Sequence, residues 1–486
     1  MAEIRAKLTP RDEAFLHRSL NGTMWKVILT IGTPLAFYQG MNQLFSMLDT
    51  MMASYISKES VSAVAYLTQL SSILSALGGG LAVGAGIQIS RAYGEGNFRL
   101  VRKRVSSLYF LCFLSGILIM AAILPFVNAF LHLAGTPEEL IAVGALYFRV
   151  ELCGMVVKFL NNVYIAVERA RGNSRRIMRL NFLVIGVKLF LTALFVYILH
   201  GDLVMIAIAS LISQCTLLVF ALRYSFGGGD GAFSFSPGAI ALNRQVTAPM
   251  ITQSIPVIAE KALFAFGKTV VNSMCTLYGA VMVGAMGVSN NLGGVTTMPQ
   301  NGFQEGAAAI ISQNVGAKKY RRVYSAFFST IVINIILGAV ISGFELWQID
   351  FFAGLFDSGS ADFHRMIALV YRYEALGAVP LGVNAAVLAL LYGLGETKLT
   401  LALNFARVFI FRIPVFWFLQ NYTNFGEASV GIVMMVSNIS VAVSAVIVAI
   451  IVLVRFRKQT LSPAPTASPD PIEESEASSP STGQAP

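Results

Sequence analysis

Residues 80–94 read GLAVGAGIQISRAYG, and residues 302–316 read GFQEGAAAIISQNVG. Laid over each other at an offset of 222, they align Gly80 with Gly302, Gly84 with Gly306, Ile89 with Ile311, Ser90 with Ser312 and Gly94 with Gly316. The match spreads outward in both directions. Upstream, Pro34 meets Pro256 and Ala63 meets Ala285; downstream, Arg99 meets Arg321 and Val101 meets Val323. Further on the offset becomes 223, pairing Arg149 with Arg372, Glu151 with Glu374, Gly154 with Gly377, Asn161 with Asn384, Gly172 with Gly395 and Asn181-Phe182 with Asn404-Phe405. One residue was gained and the order was kept, so the chain consists of two same-order halves.

Composition sets the solvent of those halves. Hydrophobic residues make up 56% and charged residues only 12%, and the mean hydropathy is +0.68, whereas about a quarter of the residues of soluble domains are charged. A hydrocarbon core about 30 Å thick needs roughly 20 apolar residues to cross as a helix. Twelve such stretches are predicted, at 24–54, 60–90, 104–131, 139–167, 177–200, 203–224, 247–278, 281–312, 323–352, 364–393, 399–420 and 427–454. They are too long and too little alternating for barrel strands, and in lipid a segment must satisfy its own backbone, so each reads as a helix. The expected fold is an all-α polytopic membrane protein with twelve transmembrane helices in two pseudo-symmetric six-helix bundles.

The connections after even-numbered spans, with the adjacent helix ends, carry seventeen Lys and Arg, against only Lys58 and Arg365 after odd-numbered ones. This positive-inside bias places the even connections and both termini in the cytoplasm of a cell carrying the protein in its cytoplasmic membrane. The net charge of +10 is largely that topological signal, so nucleic acid is not an expected partner. The segment before the first span does not resemble a cleaved signal peptide. Cys112, Cys153, Cys215 and Cys275 fall inside spans without metal-like or redox-like spacing and read as small packing residues. The expected organisation is a cytoplasmic segment 1–23, an N-terminal bundle 24–224, a linker 225–246 containing Gly227-Gly228-Gly229, a C-terminal bundle 247–454 and a Ser-, Pro- and Glu-rich tail 455–486.

These features resemble the MATE family, the multidrug and toxic compound extrusion transporters, over about residues 24–454. The resemblance rests on the first-span pattern from Pro34 to Asp49-Thr50 and on the second span ending Ile89-Ser90-Arg91-Ala92-Tyr93-Gly94. It rests also on Gly302-Phe303-Gln304, on Ser312-Gln313-Asn314-Val315-Gly316-Ala317, and on the turn Gly393-Leu394-Gly395-Glu396-Thr397-Lys398. It implies two bundles around a V-shaped cavity and export of organic compounds driven by a proton or sodium gradient. Independently of any family, Gly80-x-x-x-Gly84 and Gly302-x-x-x-Gly306 place bare positions one turn apart, which suits close helix packing better than ligand contact.

Charges inside apolar spans are costly unless they face protein, a partner or a watery cavity. In the first span Tyr38, Asn42, Ser46 and Asp49, flanked by Gln39, Gln43 and Thr50, form one polar stripe at helical spacing. The stripe lines a cavity or belongs to a buried network between helices. The resemblance implies that Asp49 matches the first-helix aspartate assigned to the coupling ion in one branch of the family. In that branch the fifth span carries Asn and Asp; here the positions hold Lys188 and Thr192. Asp49 and Lys188 are therefore expected to pair, either as a switch thrown by protonation or as a permanent tie between helices, with a proton favoured over sodium as coupling ion.

Span four adds Glu151, Lys158 and Asn162 on one face. Because Arg149 and Glu151 recur as Arg372 and Glu374, that repetition argues for a shared structural clamp. Span seven places Lys261, Lys268 and Asn272 on one face, with Glu260 about 100° away. The family's seventh-span glutamate and tenth-span aspartate fall here on Phe264 and Leu381. Within the spans, the acids Asp49, Glu151, Glu260, Glu305 and Glu374 face eight Lys and Arg, Arg407 and Arg412 among them. That balance does not suit a cavity built only for organic cations, so a lipid-linked saccharide or organic-anion flippase of the same superfamily is the alternative. The four histidines are scattered, and neither a phosphate-binding loop nor a zinc motif occurs. The chain is expected not to be an enzyme, to need no cofactor or metal, and to meet a small-molecule substrate and the bilayer as a monomer.

Overall fold

The computed structural model describes residues 6–53, 58–227, 229, 231–356 and 360–461, with side chains left out at 45–53, 58–65, 143, 280 and 461. Among the described residues the regular elements are all helices, with one isolated bridge between Lys7 and Gly231. The N-terminal half comprises α1 (Pro10–Asn21), α2 (Met24–Ala53), α3 (Lys58–Gly94), α4 (Phe98–Ile123), α5 (Val127–Leu133), α6 (Glu138–Ala170), α7 (Ser174–Ala193) and α8 (Leu203–Phe226). The C-terminal half follows with α9 (Arg244–Cys275), α10 (Ala280–Gly316), α11 (Tyr320–Trp347), α12 (Ile349–Gly354), α13 (Ala361–Leu376), α14 (Ala378–Leu394), α15 (Thr397–Phe405), α16 (Ile413–Tyr422) and α17 (Ala428–Leu461). All twelve predicted spans are found, some in two pieces. The tenth bends by 46° between α13 and α14, and the eleventh is α15, a π-helical turn at Ala406–Ile410, and α16.

Local chemistry sets several boundaries. Asn97 caps α4 by accepting from the Leu100 amide at 3.1 Å, and Asn243 caps α9 through the Val246 amide at 3.0 Å. The left-handed backbone of Gly395, φ +85°, ends α14. Among the described residues, eight helical stretches are long and apolar enough to cross a membrane, or nine with the bent pair counted as one. Helices α2, α9 and α10 are not among them, and all three contribute polar side chains to the cavity described below. On α11, by contrast, Phe328, Val332, Ile336 and Val340 form an exposed stripe one turn apart, as a lipid-facing helix requires.

The chain divides into two compact units, Met1–Ala449 and Ile450–Pro486. Within the first, each half has its own apolar core. Leu108, Phe148 and Phe159 anchor one; Met286, Tyr371 and Phe416 anchor the other. The halves meet where α2 packs on α10 and α3 on α9, and the paired glycines explain why. A Cβ on Gly84 would lie 2.5 Å from the Ser254 Cα, and one on Gly302 would lie 2.5 Å from the Ala36 nitrogen. The glycine pairs are therefore packing surfaces between the halves.

Three expectations are refined. The linker 225–246 buries Ala232, Phe233 and Ser234, with the Arg171 guanidinium 5.4 Å from the Phe233 ring. The leading segment contains α1, opened by Pro10 after the Thr9 cap. Helix α17 continues to Leu461, and the tail beyond it lies outside the described residues.

Candidate functional site

At the end of the molecule that carries the loops after even-numbered spans, the halves are sealed by near-symmetrical contacts. A Cβ on Gly94 would sit 2.0 Å from the Gln313 carbonyl oxygen, and one on Gly316 would sit 2.2 Å from that of Arg91. Arg91 and Gln313 are themselves repeat partners at the offset of 222. The Ser312 hydroxyl donates to the Ile87 carbonyl at 2.8 Å, the Gln313 amide to Ala170 at 2.8 Å, and Arg91 to Leu394 at 2.9 Å. Helix α1 straps the same end. Its Asp12 receives a two-pronged bond from Arg171 at 2.9 Å, while Arg322 donates to the carbonyls of Ser19 and Gly22 at 3.0 and 2.7 Å.

Behind the seal, the Arg169 guanidinium on α6 meets the Glu305 carboxylate on α10 at 2.9 Å, beside a small cavity of about 60 Å³. This pair crosses from one half to the other, so any opening of the seal must break it. Removing one partner of a largely buried pair leaves the other charge uncompensated. Glu305→Gln is therefore expected to populate the opened state. A cysteine introduced at Ala166, which lines the small cavity, should react with a maleimide about threefold faster or more in that background. An unchanged rate would show that the pair does not hold the seal.

Farther from the seal lies a polar cavity of about 350 Å³, which draws Gln43 from the N-terminal half and Lys261, Lys268, Glu374, Arg407 and Arg412 from the C-terminal half. Gln43 bridges the halves, donating to the Asn291 carbonyl at 3.3 Å and to its side-chain oxygen at 3.2 Å. The lining contains four cations, Lys261 included, against the two carboxylates of Glu260 and Glu374. The Arg407 and Arg412 guanidiniums both donate to the Asn438 side-chain oxygen, at 2.9 and 3.2 Å, and Arg412 also donates to the Ser437 hydroxyl at 3.0 Å. Glu374 accepts from the Ser289 hydroxyl at 2.6 Å. Phe264 and Leu381, standing where the family pattern has acids, line this same cavity.

The predicted site residues distribute unevenly. Tyr38 and Asn42 are half-buried on α2, as is Lys188 on α7. The side chains of Asp49, Ser46 and Thr50 lie outside the described residues, and the expected pairing of Asp49 with Lys188 lies there too. Thr192 is fully buried. Lys158 and Glu151 form an ion pair at 2.6 Å along α6, with Asn162 half-buried one turn farther on. Gln43, Glu260, Lys268 and Glu374 share the cavity, whereas Asn272 is not among its lining residues.

The expected common clamp differs between the halves. By the offset of 223 the counterpart of Lys158 is Leu381, so Glu374 has no lysine to bind and faces the cavity instead. Glu260 carries a structural load. Its carboxylate, buried between α9, α14 and α15, accepts from Tyr392 at 2.7 Å, Thr400 at 2.6 Å and Asn404 at 2.8 Å. A further acid in the ninth span escaped the sequence reading. Glu345 is buried and accepts from the hydroxyls of Thr296, at 2.7 Å, and Tyr371. An isolated carboxylate in an apolar run was the available signal.

The comparisons with known proteins agree with this architecture. A family model described as MatE matches residues 34–194 and 256–418, two segments that begin at the repeated prolines Pro34 and Pro256. Probable multidrug resistance protein YoeA of Bacillus subtilis (strain 168) is 22% identical over 349 residues, covering 68% of this chain and 73% of that protein. Multidrug export protein MepA of Staphylococcus haemolyticus (strain JCSC1435) is 20% identical over 302 residues, covering 62% and 66%. A solved structure described as the outward-facing conformation of a multidrug resistance MATE family transporter of the MOP superfamily superposes with a TM-score of 0.87 at 20% identity, over 93% of this chain and 100% of that one. With its duplicated helices, its polar cavity bridged by Gln43 from the other half and a family match in each half, this chain belongs to the MATE family of multidrug efflux transporters.

Proposed function

We propose that the protein is an antiporter that exports organic compounds from the cell by alternating access, with a proton rather than sodium as the driving ion. The observation that supports this reading is a polar cavity of the C-terminal half that Gln43 of the N-terminal half closes, with the two repeated halves joined on one side by nearly symmetrical polar contacts. Such contacts can be exchanged for an equivalent set on the other side at little net cost, as rocking between two states of similar free energy requires. The positive-inside bias assigns the sealed end and both termini to the cytoplasm, so this conformation is the one open to the outside. One chain supplies the whole lining of the cavity, and a monomer suffices.

Coupling is assigned to Asp49 and Lys188 in the N-terminal half. Protonating Asp49 cancels its attraction for the ammonium and lets α2 and α7 repack. Proteoliposomes with an imposed pH gradient, compared with an imposed sodium gradient, test the ion. Flux should follow the pH gradient and fall about tenfold or more in Asp49→Asn and Lys188→Ala. Full gradient-driven flux in both variants would remove these residues from the mechanism. The organic-anion exporter is the second reading, and the cationic lining of the cavity favours it.

A further inference from the structure

We infer that the C-terminal end of the cavity is an anion-binding site and that the substrate carries a carboxylate, sulfonate or phosphate there. This rests on the transporter reading above and names the substrate class. Arg407 and Arg412 are turned toward a single neutral oxygen, that of Asn438, which places two guanidiniums side by side. Lys268 joins them. Its ammonium and the Arg407 guanidinium lie 5.6 and 5.4 Å from the centroid of the Phe264 ring. Among the described residues, no carboxylate oxygen comes within 4.0 Å of any of the three. The Arg407 Nε is buried without a hydrogen-bond partner among those residues. Like charges gathered away from bulk water, with only a neutral acceptor between them, repel one another unless a counter-charge arrives.

The surroundings decide what that counter-charge is. Glu374 is tethered to Ser289 at 2.6 Å and makes no ion pair with the cluster, so it tempers that positive charge only from a distance. Glu260 is saturated by its three donors. A planar guanidinium with a free edge matches an oxyanion bidentately, and the Phe264 face beside it offers an apolar surface to the body of an organic molecule. The volume of about 350 Å³ lies in the range of small-ligand pockets, roughly 300–1,000 Å³. An organic cation entering here would meet four positive side chains.

The test is binding to the purified full-length protein, read by fluorescence anisotropy with fluorescein, a dianion at pH 8, and with ethidium, a permanent cation. Fluorescein should bind saturably and be displaced by benzenesulfonate. Lys268→Gln makes no structural hydrogen bond unavailable, and should weaken fluorescein binding about tenfold, as loss of a charged partner does. Lys268→Arg should restore it. Glu374→Gln should tighten it, because a competing negative charge is gone. Saturable ethidium binding that is strengthened by Lys268→Gln, or fluorescein binding indifferent to Lys268→Gln and Arg407→Gln alike, would overturn the inference. The assay needs no gradient, so a lack of gradient-driven flux would count against the transporter reading alone.

Discussion

Gly94→Ala is expected to unseat the seal between the halves and cut flux about tenfold or more, a larger effect than any exposed substitution should produce. The added methyl would stand 2.0 Å from the Gln313 carbonyl oxygen and 2.7 Å from its carbonyl carbon and Cα. These are backbone atoms inside α10, so no side chain can turn aside and α3 must move as a body. Overpacking of this kind costs about 1–3 kcal/mol, and about 1.4 kcal/mol shifts an equilibrium tenfold. The cost falls on the sealed state alone. Gly186→Ala on α7 is the matched control, since a Cβ there meets nothing within 4 Å. Maleimide labelling at the small cavity and initial flux should both change in Gly94→Ala and remain at parental values in the control. Parental behaviour in Gly94→Ala would mean that the close approach is not what closes this end.

The largest loss of stability is expected from Glu260→Ala. Removing that carboxylate strands the donors of Tyr392, Thr400 and Asn404, all bonded to it at 2.6–2.8 Å in a buried setting. An unsatisfied buried donor costs about 1–3 kcal/mol, so a total of about 3–5 kcal/mol is expected after relaxation. Glu260→Gln keeps one acceptor oxygen and nearly the same volume, and should lose roughly half as much. Thermal unfolding of the detergent-purified protein checks the ranking. A Glu260→Ala variant as stable as the parent would show that water replaces the carboxylate at no cost, and that this residue belongs to the transport cycle and not to the scaffold.

Much of the architecture was legible before any tertiary contact was known, for a simple reason. Lipid leaves the backbone one economical solution, so twelve apolar runs became twelve helical spans with ends close to those expected. The turns obeyed local rules at Asn97, Asn243 and Gly395. Helix α1 was equally readable in principle, since Thr9, Pro10, Asp12 and Glu13 form an N-terminal signature. What it straps, Arg171 on one half and Arg322 on the other, depends on residues more than a hundred positions away. The candidate site was harder. Lys268, Glu374, Arg407 and Arg412 were visible as buried charges, but nothing local distinguishes a charge facing a cavity from one tied to a neighbour. Glu151 and Glu374 are repeat partners, and yet one is paired with Lys158 and the other faces the cavity.

The one-residue register change in the eleventh span illustrates the division. Counting along the repeat places Phe411 opposite Lys188 at an offset of 223. The π-helical turn at Ala406–Ile410 takes up one residue, so that count no longer holds beyond it. Composition and repetition by themselves determined a duplicated, lipid-embedded helical protein, because hydrophobic length and sequence periodicity are properties of the chain alone. Which charges converge in one cavity, and which are spent holding helices together, was decided by tertiary structure, because a single residue of register turns a side chain about 100° around a helix.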